Sequence, residues 1–164
     1  MKNVIFKEYE ECDLPKLFEI YSYYIENSTA TFAIEPITPD QMKKILEPLS
    51  QRYKTFVILC NDEICGYALF TRFKAREAYD ISAEVTIYLK QGFTGRNIGS
   101  TALALLEKEA KLAQIHTLVA NITSENQASL RLFEKNGYQK CAHFKEVGKK
   151  FGRILDLVCL EKIL

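Results

Sequence analysis

The segment from Glu84 to Leu106 constrains the fold more than any other part of this chain. An alternating strand, SAEVTIYL, runs into the loop GFTGRNIGS, which runs into an amphipathic helix, STALALLEKEAKLAQ. Gly95, Asn97 and Gly99 lie just before this predicted helix, and Gly and Asn are the residue types that most readily take a positive φ. The pattern therefore predicts a strand, a tight turn and a helix start in one unit.

Such a turn directs backbone N–H groups at one point beside the positive end of a helix dipole, and this arrangement binds phosphate or pyrophosphate. Arg96 adds one cation. A plain strand-to-helix turn that needs glycine is the alternative, and the loop alone leaves both open. A P-loop is excluded because Ile98-Gly99-Ser100 supplies no Lys. A dinucleotide fingerprint is also a poor match, because no acidic residue follows about 20 positions later on a second strand.

The remaining periodicity predicts a mixed α/β (α+β) fold in the order β-α-α-β-β-β-α-β-α-β-β. Strands are expected at residues 3–8, 55–60, 64–73, 82–89, 116–122, 138–147 and 153–163. The first helix is expected to begin with Asp13 as its cap, the second with a capping box at Thr38, and the last to end at Gly137. We expect one domain over residues 1–164, with a mostly antiparallel central sheet of about seven strands and helices on both faces.

The composition excludes several classes of protein. Lys and Arg total 22 against 21 Asp and Glu, so the net charge is +1, whereas nucleic-acid-binding domains usually carry a basic excess. The longest stretch without these charged residues is Leu112–Ser124, about 13 residues, and a membrane-spanning helix needs roughly 20. Five cysteines without a CxxC predict a reduced, cytoplasmic protein. Cys141 and His143 lack the further ligands of a metal site, so we expect no metal. From the net charge and the short uncharged stretch, we also expect no nucleic acid partner and no membrane partner.

The stretch EVTIYLKQGFTGRNIGSTALALLEKEA resembles the acetyl-CoA-binding motif of the GNAT superfamily of N-acetyltransferases. Four segments extend the resemblance over nearly the whole chain, to the phosphinothricin/methionine sulfoximine acetyltransferase branch. They are IYSYYIENSTATFAIEP, FKAREAYDISAEVTIYL, ITSENQASLRLFEKNGY and VGKKFGRILDL. The resemblance implies a GNAT-like fold, acetyl-CoA as cosubstrate and a homodimer.

The resemblance also implies which residues bind the cofactor. The strand would pair its backbone with the pantetheine arm, through Ile87, Tyr88 and Leu89. The loop would hold the pyrophosphate, through Gly95, Arg96, Asn97, Ile98, Gly99 and Ser100. Further along the chain, Asn126 would bind the pantetheine region, and Ser129 and Lys135 would lie toward the adenosine 3′-phosphate. The loop departs from the superfamily pattern Q/R-x-x-G-x-G/A, because Thr94 replaces Gln/Arg and Asn97 replaces the first Gly.

Acetyl transfer requires a neutral amine, and amines are mostly protonated near neutral pH. Some group must therefore accept that proton. Taken alone, Glu84 fits a solvent-facing residue on a half-exposed strand, but its position in the family implies that it is the general base. The family often places a proton donor for the leaving thiolate where this chain has Phe133. The thiolate then leaves unassisted, another tyrosine supplies the proton, or the enzyme is slow, and the residues do not choose among these.

The resemblance implies that the segment K-x-R-x-A-Y binds the carboxylate of an amino-acid substrate, through Lys74, Arg76 and Tyr79, with Phe32 as a wall of the pocket. An arginine suits a carboxylate because its guanidinium donates two parallel hydrogen bonds. The expected reaction is acetylation of the α-amino group of a small amino acid or analogue, such as methionine sulfoximine, methionine sulfone or phosphinothricin. The alternatives are another amine, such as a peptide N-terminus or a polyamine, and a catalytically weak module that binds acyl-CoA.

Overall fold

The computed structural model describes residues 3–164, so the first two residues of the expected domain lie outside it. Seven strands form one sheet in the order β1-β2-β3-β4-β5-β7-β6. The strands are β1 Val4–Glu8, β2 Lys54–Cys60, β3 Glu63–Arg72, β4 Ser82–Leu89, β5 Thr117–Thr123, β6 Gln139–Lys150 and β7 Arg153–Ile163. The helices are α1 Leu14–Asn27, α2 Pro39–Leu46, α3 Ile98–Leu112 and α4 Gln127–Lys135. The predicted order of helices and strands is confirmed, with two short 3-10 turns added.

The helix ends signalled by Thr38, Gly137 and Asp13 are confirmed, although the Asp13 side chain does not itself cap its helix. Thr38 accepts a hydrogen bond from the backbone of Gln41 at 3.2 Å, and Gly137 takes a φ of +88° after α4. Asp13 occupies the cap position of α1, as predicted, but its side chain makes no capping hydrogen bond to this helix. Its carboxylate accepts hydrogen bonds from the Lys7 ammonium at 2.9 Å and the Glu10 backbone N–H at 3.0 Å, because a 3-10 turn precedes the helix.

Gly99 is the second correction, because it lies inside α3 rather than before it. A Cβ on Gly99 would lie 2.8 Å from the Leu132 Cδ2 atom of α4. Glycine is therefore needed at this position for the close packing of two helices, and not for a positive φ.

The pairing of β4 with β5 ends early. These two strands are parallel, whereas every other neighbouring pair in the described sheet is antiparallel. Only residues 82–84 pair with residues 117–119, although β4 continues to Leu89 and β5 to Thr123. The strands separate beyond Glu84, and we call the gap between residues 85–89 and 120–123 the splay.

Helices cover both faces of the sheet, as predicted. Side chains alternate along β4, so Val85 belongs to the core under α3 and α4, which contains Leu106, whereas Tyr88 packs against the core under α1 and α2, which contains Leu17. Glu84 shares the face of Tyr88 and points to the α1–α2 side.

No helix of residues 3–164 is long and apolar enough to cross a membrane.

All five cysteines are free thiols. Cys60, Cys65 and Cys159, which lie in apolar runs of the sequence, are buried. Burial raises the pKa of the Cys65 thiol to about 11 and also raises the pKa of the Cys159 thiol. The thiolate is therefore a minor form of both groups near neutral pH.

Gly66 tests how tightly its strand, β3, packs against the part of β4 that borders the splay. It pairs with Leu89, and a Cβ at this position would collide with the Tyr88 carbonyl oxygen. We expect Gly66→Ala to lower the free energy of unfolding by about 3 kcal/mol, because a backbone atom cannot move aside as a side chain can. Urea denaturation measures this change, and a loss below about 0.5 kcal/mol would contradict the tight packing of β3 on β4.

Candidate functional site

A cleft of about 1340 Å³ crosses the sheet at the splay. Its α3–α4 side is lined by Thr94, Gly95, Asn97, Gly99, Ser100, Asn126, Ser129, Arg131 and Lys135. Its α1–α2 side is lined by Tyr21, Tyr24, Thr29, Thr31, Phe32, Lys44, Tyr67, Glu84 and Tyr88. The cleft is therefore lined by residues from both faces of the sheet, and the two sides join at the splay.

The exposed edge of β4 offers backbone hydrogen-bonding groups to the splay. The Lys90 N–H donates to the Cys65 carbonyl at 2.7 Å, so residue 90 is a hydrogen-bonded position of the β3–β4 ladder. Such positions alternate along an antiparallel pair, and Ile87 and Leu89 therefore direct their backbone groups away from β3. The Leu89 carbonyl accepts the Tyr24 hydroxyl. An extended ligand can add to this edge as a further strand.

The start of α3 presents backbone donors with no capping side chain. Gly95 and Asn97 have φ angles of +74° and +62°, as predicted. Asn97 occupies the cap position, but its side chain makes no capping hydrogen bond, whereas Thr38 caps α2 and Asn126 caps α4. The first N–H groups of α3 lack intrahelical partners and lie at the positive end of its dipole, where an anion is stabilised.

Arg131 and Lys135 add positive charge to the same side of the cleft. They are four residues apart on α4, and both are exposed along the cleft. Arg131 is not among the residues predicted from the sequence, although its spacing from Lys135 on an amphipathic helix indicates a shared face. Arg96 instead lies outside the cleft lining, with its guanidinium 5.2 Å from the centroid of the Phe93 ring.

Three of the predicted cofactor residues also have structural roles. The Asn126 Oδ1 atom accepts the Ser129 N–H at 3.2 Å, which leaves the Asn126 amide nitrogen to donate to a ligand. The Ser100 hydroxyl accepts a hydrogen bond from the Asn136 side chain at 3.0 Å. Ile98 is 2% exposed, so its side chain belongs to the core and only its backbone is available to a ligand.

Glu84 occupies the last paired position before the splay, opposite Val119. Its side chain is half-buried and lines the cleft where the two sides meet. Asn121 lies two residues beyond Val119 and is exposed between buried neighbours of β5, because the cleft opens above it. The Asn121 side-chain oxygen accepts the Cys159 thiol at 3.0 Å. A carboxylate and an amide therefore flank the splay on the α1–α2 side.

Four tyrosines, Tyr21, Tyr24, Tyr67 and Tyr88, form one wall of the α1–α2 side. The Tyr88 ring lies at the centre, with its centroid 5.0–5.5 Å from those of the other three. Burial raises the pKa of Tyr67 and Tyr88 well above the usual tyrosine value, so both hydroxyls stay protonated. The Tyr67 and Tyr88 hydroxyls of the wall are therefore uncharged, and the Glu84 carboxyl group lines the same cleft.

Comparison with known proteins identifies the family. Residues 6–159 match the model of the acetyltransferase (GNAT) domain. The chain belongs to the GNAT acetyltransferase family. It is 34% identical over 158 residues to phosphinothricin N-acetyltransferase of Streptomyces coelicolor, covering 94% of this chain and 92% of that protein.

Two further comparisons agree with this family. The chain is 27% identical to L-methionine sulfoximine/L-methionine sulfone acetyltransferase of Salmonella typhimurium, covering 93% of this chain and 90% of that protein. The solved structure of a GNAT phosphinothricin acetyltransferase from Sinorhizobium meliloti, in complex with AcCoA, matches with a TM-score of 0.93 at 26% identity. That match covers 98% of this chain and 88% of the other. This GNAT chain is therefore an N-acetyltransferase whose acetyl donor is acetyl-CoA, as the sequence resemblance implied.

The residues that the resemblance assigns to a substrate carboxylate lie beside the cleft of this GNAT enzyme, outside its lining. Lys74, Arg76 and Tyr79 are exposed on the loop between β3 and β4, and the Lys74 ammonium lies 5.3 Å from the centroid of the Tyr79 ring. This loop leads directly into β4, on which Glu84 is the third residue. Phe32 does line the cleft.

Phe133 has no group that could donate a proton to the leaving thiolate. Its ring is 4% exposed and packs edge-on against Tyr138, with centroids 4.9 Å apart. The Tyr138 hydroxyl is buried without a partner among the described residues and does not line the cleft. Tyr24 is the tyrosine whose hydroxyl reaches the edge of the splay, where it donates to the Leu89 carbonyl.

A charged network joins β7 to the loop that follows α1. Glu125 accepts two hydrogen bonds from the Arg153 guanidinium, at 2.8 and 2.9 Å, and one from the Thr29 hydroxyl. The Arg153 guanidinium, with a smaller effect of Thr29, lowers the pKa of Glu125 to about 2.

This lowered pKa predicts a pH dependence of stability. A carboxyl with a lower pKa in the folded protein stabilises the fold where it is ionised. The contribution of Glu125 should be complete above about pH 4.5, its ordinary pKa, and disappear as the pH falls toward about 2. Urea midpoints of the wild type and Glu125→Gln should differ most near pH 6 and converge toward about pH 2. A constant difference over this range would contradict the assignment.

Proposed function

We propose that this GNAT enzyme acetylates the α-amino group of a small amino acid of the phosphinothricin and methionine sulfoximine/sulfone class. The observation that carries the proposal is the cleft through the sheet, whose two sides meet beside Glu84. The similarity to a phosphinothricin N-acetyltransferase and a methionine sulfoximine/methionine sulfone acetyltransferase supports this class of substrate.

In the proposed reaction, the neutral amine attacks the thioester carbonyl carbon directly. A nitrogen–carbon bond forms, the carbon–sulfur bond breaks, and coenzyme A leaves as its thiolate. Glu84 acts as general base and accepts the proton that the amine loses, directly or through one water. Its position at the edge of the splay, half-buried and on the α1–α2 side, supports this role.

We propose that acetyl-CoA occupies the α3–α4 side and the edge of β4. The pantetheine arm pairs with Ile87 and Leu89, beside Tyr88, and the pyrophosphate lies at the start of α3. The proposed pyrophosphate residues are Gly95, Arg96, Asn97, Ile98, Gly99 and Ser100. Asn126 binds the pantetheine region, Ser129 lies toward the adenosine 3′-phosphate, and Lys135 pairs with that phosphate. The uncapped N–H groups of α3 and the cation on α4 support this placement.

The amino acid is proposed to lie on the α1–α2 side, with Phe32 as a wall. Its carboxylate pairs with Arg76, assisted by Lys74 and Tyr79 on the loop beside the cleft. Lys44 is a second cation for this role, because its side chain lines the cleft itself. An amino acid thus carries its amine toward Glu84 and its carboxylate toward a cation at the mouth.

A homodimer and a cytoplasmic location complete the proposal. β6 is an edge of the described sheet, and with β7 it exposes several large apolar side chains, Phe144, Val147, Phe151 and Ile154. Such a surface is typical of a contact between copies of a chain. Five free thiols support a reducing compartment.

A substrate panel tests the proposed function. Release of coenzyme A should be rapid with methionine sulfone, methionine sulfoximine or phosphinothricin, and slow with spermidine, a short peptide and the decarboxylated analogue of methionine sulfone. Arg76→Ala should raise the KM for methionine sulfone by about 30-fold, because a charged hydrogen bond is lost.

Lys44→Ala is the comparison that decides between the two cations, and a larger effect of this variant would move the carboxylate to α2. Turnover only on the peptide or polyamine would contradict the amino-acid assignment. Binding of acetyl-CoA with no turnover on any amine would instead make this chain a binding module.

Glu84→Gln tests the general base. We expect its kcat to fall about 100-fold near neutral pH, with the larger loss at low pH, where more of the amine arrives protonated. The Kd for acetyl-CoA, measured by calorimetry, should not change. Glu26→Gln, an exposed change on α1, is the control. An unchanged pH–rate profile in Glu84→Gln would reject Glu84 as the base.

A further inference from the structure

Lys150, the last residue of β6, is a buried cation held by backbone carbonyls. It is 3% exposed, and its ammonium donates hydrogen bonds to the carbonyls of Ser28 at 2.6 Å, Thr31 at 2.9 Å and Tyr24 at 3.4 Å. Burial lowers the pKa of Lys150, and no carboxylate of the described chain acts against that shift. The three carbonyls are therefore its hydrogen-bonding partners in place of a counter-ion.

A lysine in this position is unfavourable unless its contacts compensate for the loss of water. A buried charge without a counter-ion is strongly disfavoured, and a methionine of similar length would avoid that cost. An ammonium has three N–H donors, and the three carbonyls use all of them. The arrangement thus fixes the three carbonyls relative to one another, which an apolar side chain cannot do.

The three carbonyls belong to the end of α1 and the loop that follows it. Tyr24 lies in the last turn of α1 and Ser28 caps it, so the ammonium sits at the negative end of the helix dipole. Thr31 lies in the loop, and every residue of 28–32 lines the α1–α2 side of the cleft. Lys150 therefore ties this part of the cleft wall to the end of β6.

Two neighbours of Lys150 contact the same loop. A Cβ on Gly148 would lie 2.8 Å from the Phe32 ring, so the ring packs directly on the β6 backbone. Arg153, at the start of β7, reaches Thr29 through Glu125. Residues 148–153, which we call the hairpin tip, thus hold the loop at separate points along its length.

We propose that the hairpin tip sets the position of residues 28–32, which line the side of the cleft where the amine would bind, and that Lys150 is a positioning residue for the amine substrate. This inference rests on the proposed function in placing the amine on the α1–α2 side. Lys150 touches no reacting atom and acts through the backbone of residues 28–31. The proposed contacts of acetyl-CoA lie on other elements, β4, α3 and α4, and Lys150 donates its hydrogen bonds to none of them, so we expect cofactor binding to change less than amine binding.

Lys150→Met tests the proposal, with Lys145→Met, an exposed change on the same strand, as the matched control. We expect the KM for methionine sulfone to rise about tenfold or more in Lys150→Met, while the Kd for acetyl-CoA changes less than about twofold. Lys150→Arg keeps the charge and its donors and should recover part of the loss. Equal effects on the amine and on acetyl-CoA, or no effect on either, would overturn the positioning role.

Hydrogen–deuterium exchange gives a readout that needs no substrate. Exchange at residues 28–32 should be faster in Lys150→Met than in Lys145→Met, and unchanged exchange would overturn the proposal even if activity fell. Should Lys150→Met fail to fold, Arg153→Gln loosens the same loop from an exposed position and should raise the amine KM selectively. A wild type that acetylates none of the amino acids would reject the proposed function, whereas the exchange result would still judge the hairpin tip.

Discussion

The pairing of β4 with β5 stops after three residues, and the cleft exists because it stops there. If the ladder continued to Leu89, the backbone groups of Ile87 and Leu89 would bond to β5 and the two faces of the sheet would be separated. The open edge gives up several backbone hydrogen bonds, each worth about 1 kcal/mol. In the proposed binding mode, a pantetheine arm, with its own amide groups, would replace part of the missing strand, so the cofactor would complete the sheet as it binds.

In the proposed binding mode, a chain of net charge +1 would recognise a phosphate-rich cofactor largely through backbone groups. The donors at the start of α3 are backbone N–H groups, which contribute no formal charge. Formal charge enters locally, through the Arg131 and Lys135 side chains on one face of α4. The net charge therefore argues against a broad basic surface that would bind a polyanion, but it is uninformative about a nucleotide bound at the start of a helix.

Features set by local sequence were predictable here, and features set by distant contacts were not. The Thr38 capping box, the turn at Gly95 and Asn97 and the order of the elements follow from periodicity and residue type. The role of Gly99 depends on Leu132, which approaches only when α3 packs on α4. Lys150 binds carbonyls more than 100 residues away, so its burial leaves no local signal. The GNAT family was inferred from motif resemblance, because the hydrophobic periodicity of helices and strands carries no information about the group that an enzyme transfers.

The buried cysteines have a consequence for an enzyme whose product is itself a thiol. Cys159 contacts Asn121 at the splay, and attack of a protein cysteine on a disulfide, such as that of oxidised coenzyme A, requires the thiolate form of the cysteine. The pKa of Cys159 is raised, and that of Cys65 lies at about 11, so these side chains are poor nucleophiles near neutral pH. Burial of these cysteines thus disfavours mixed-disulfide formation with the oxidised, disulfide form of coenzyme A.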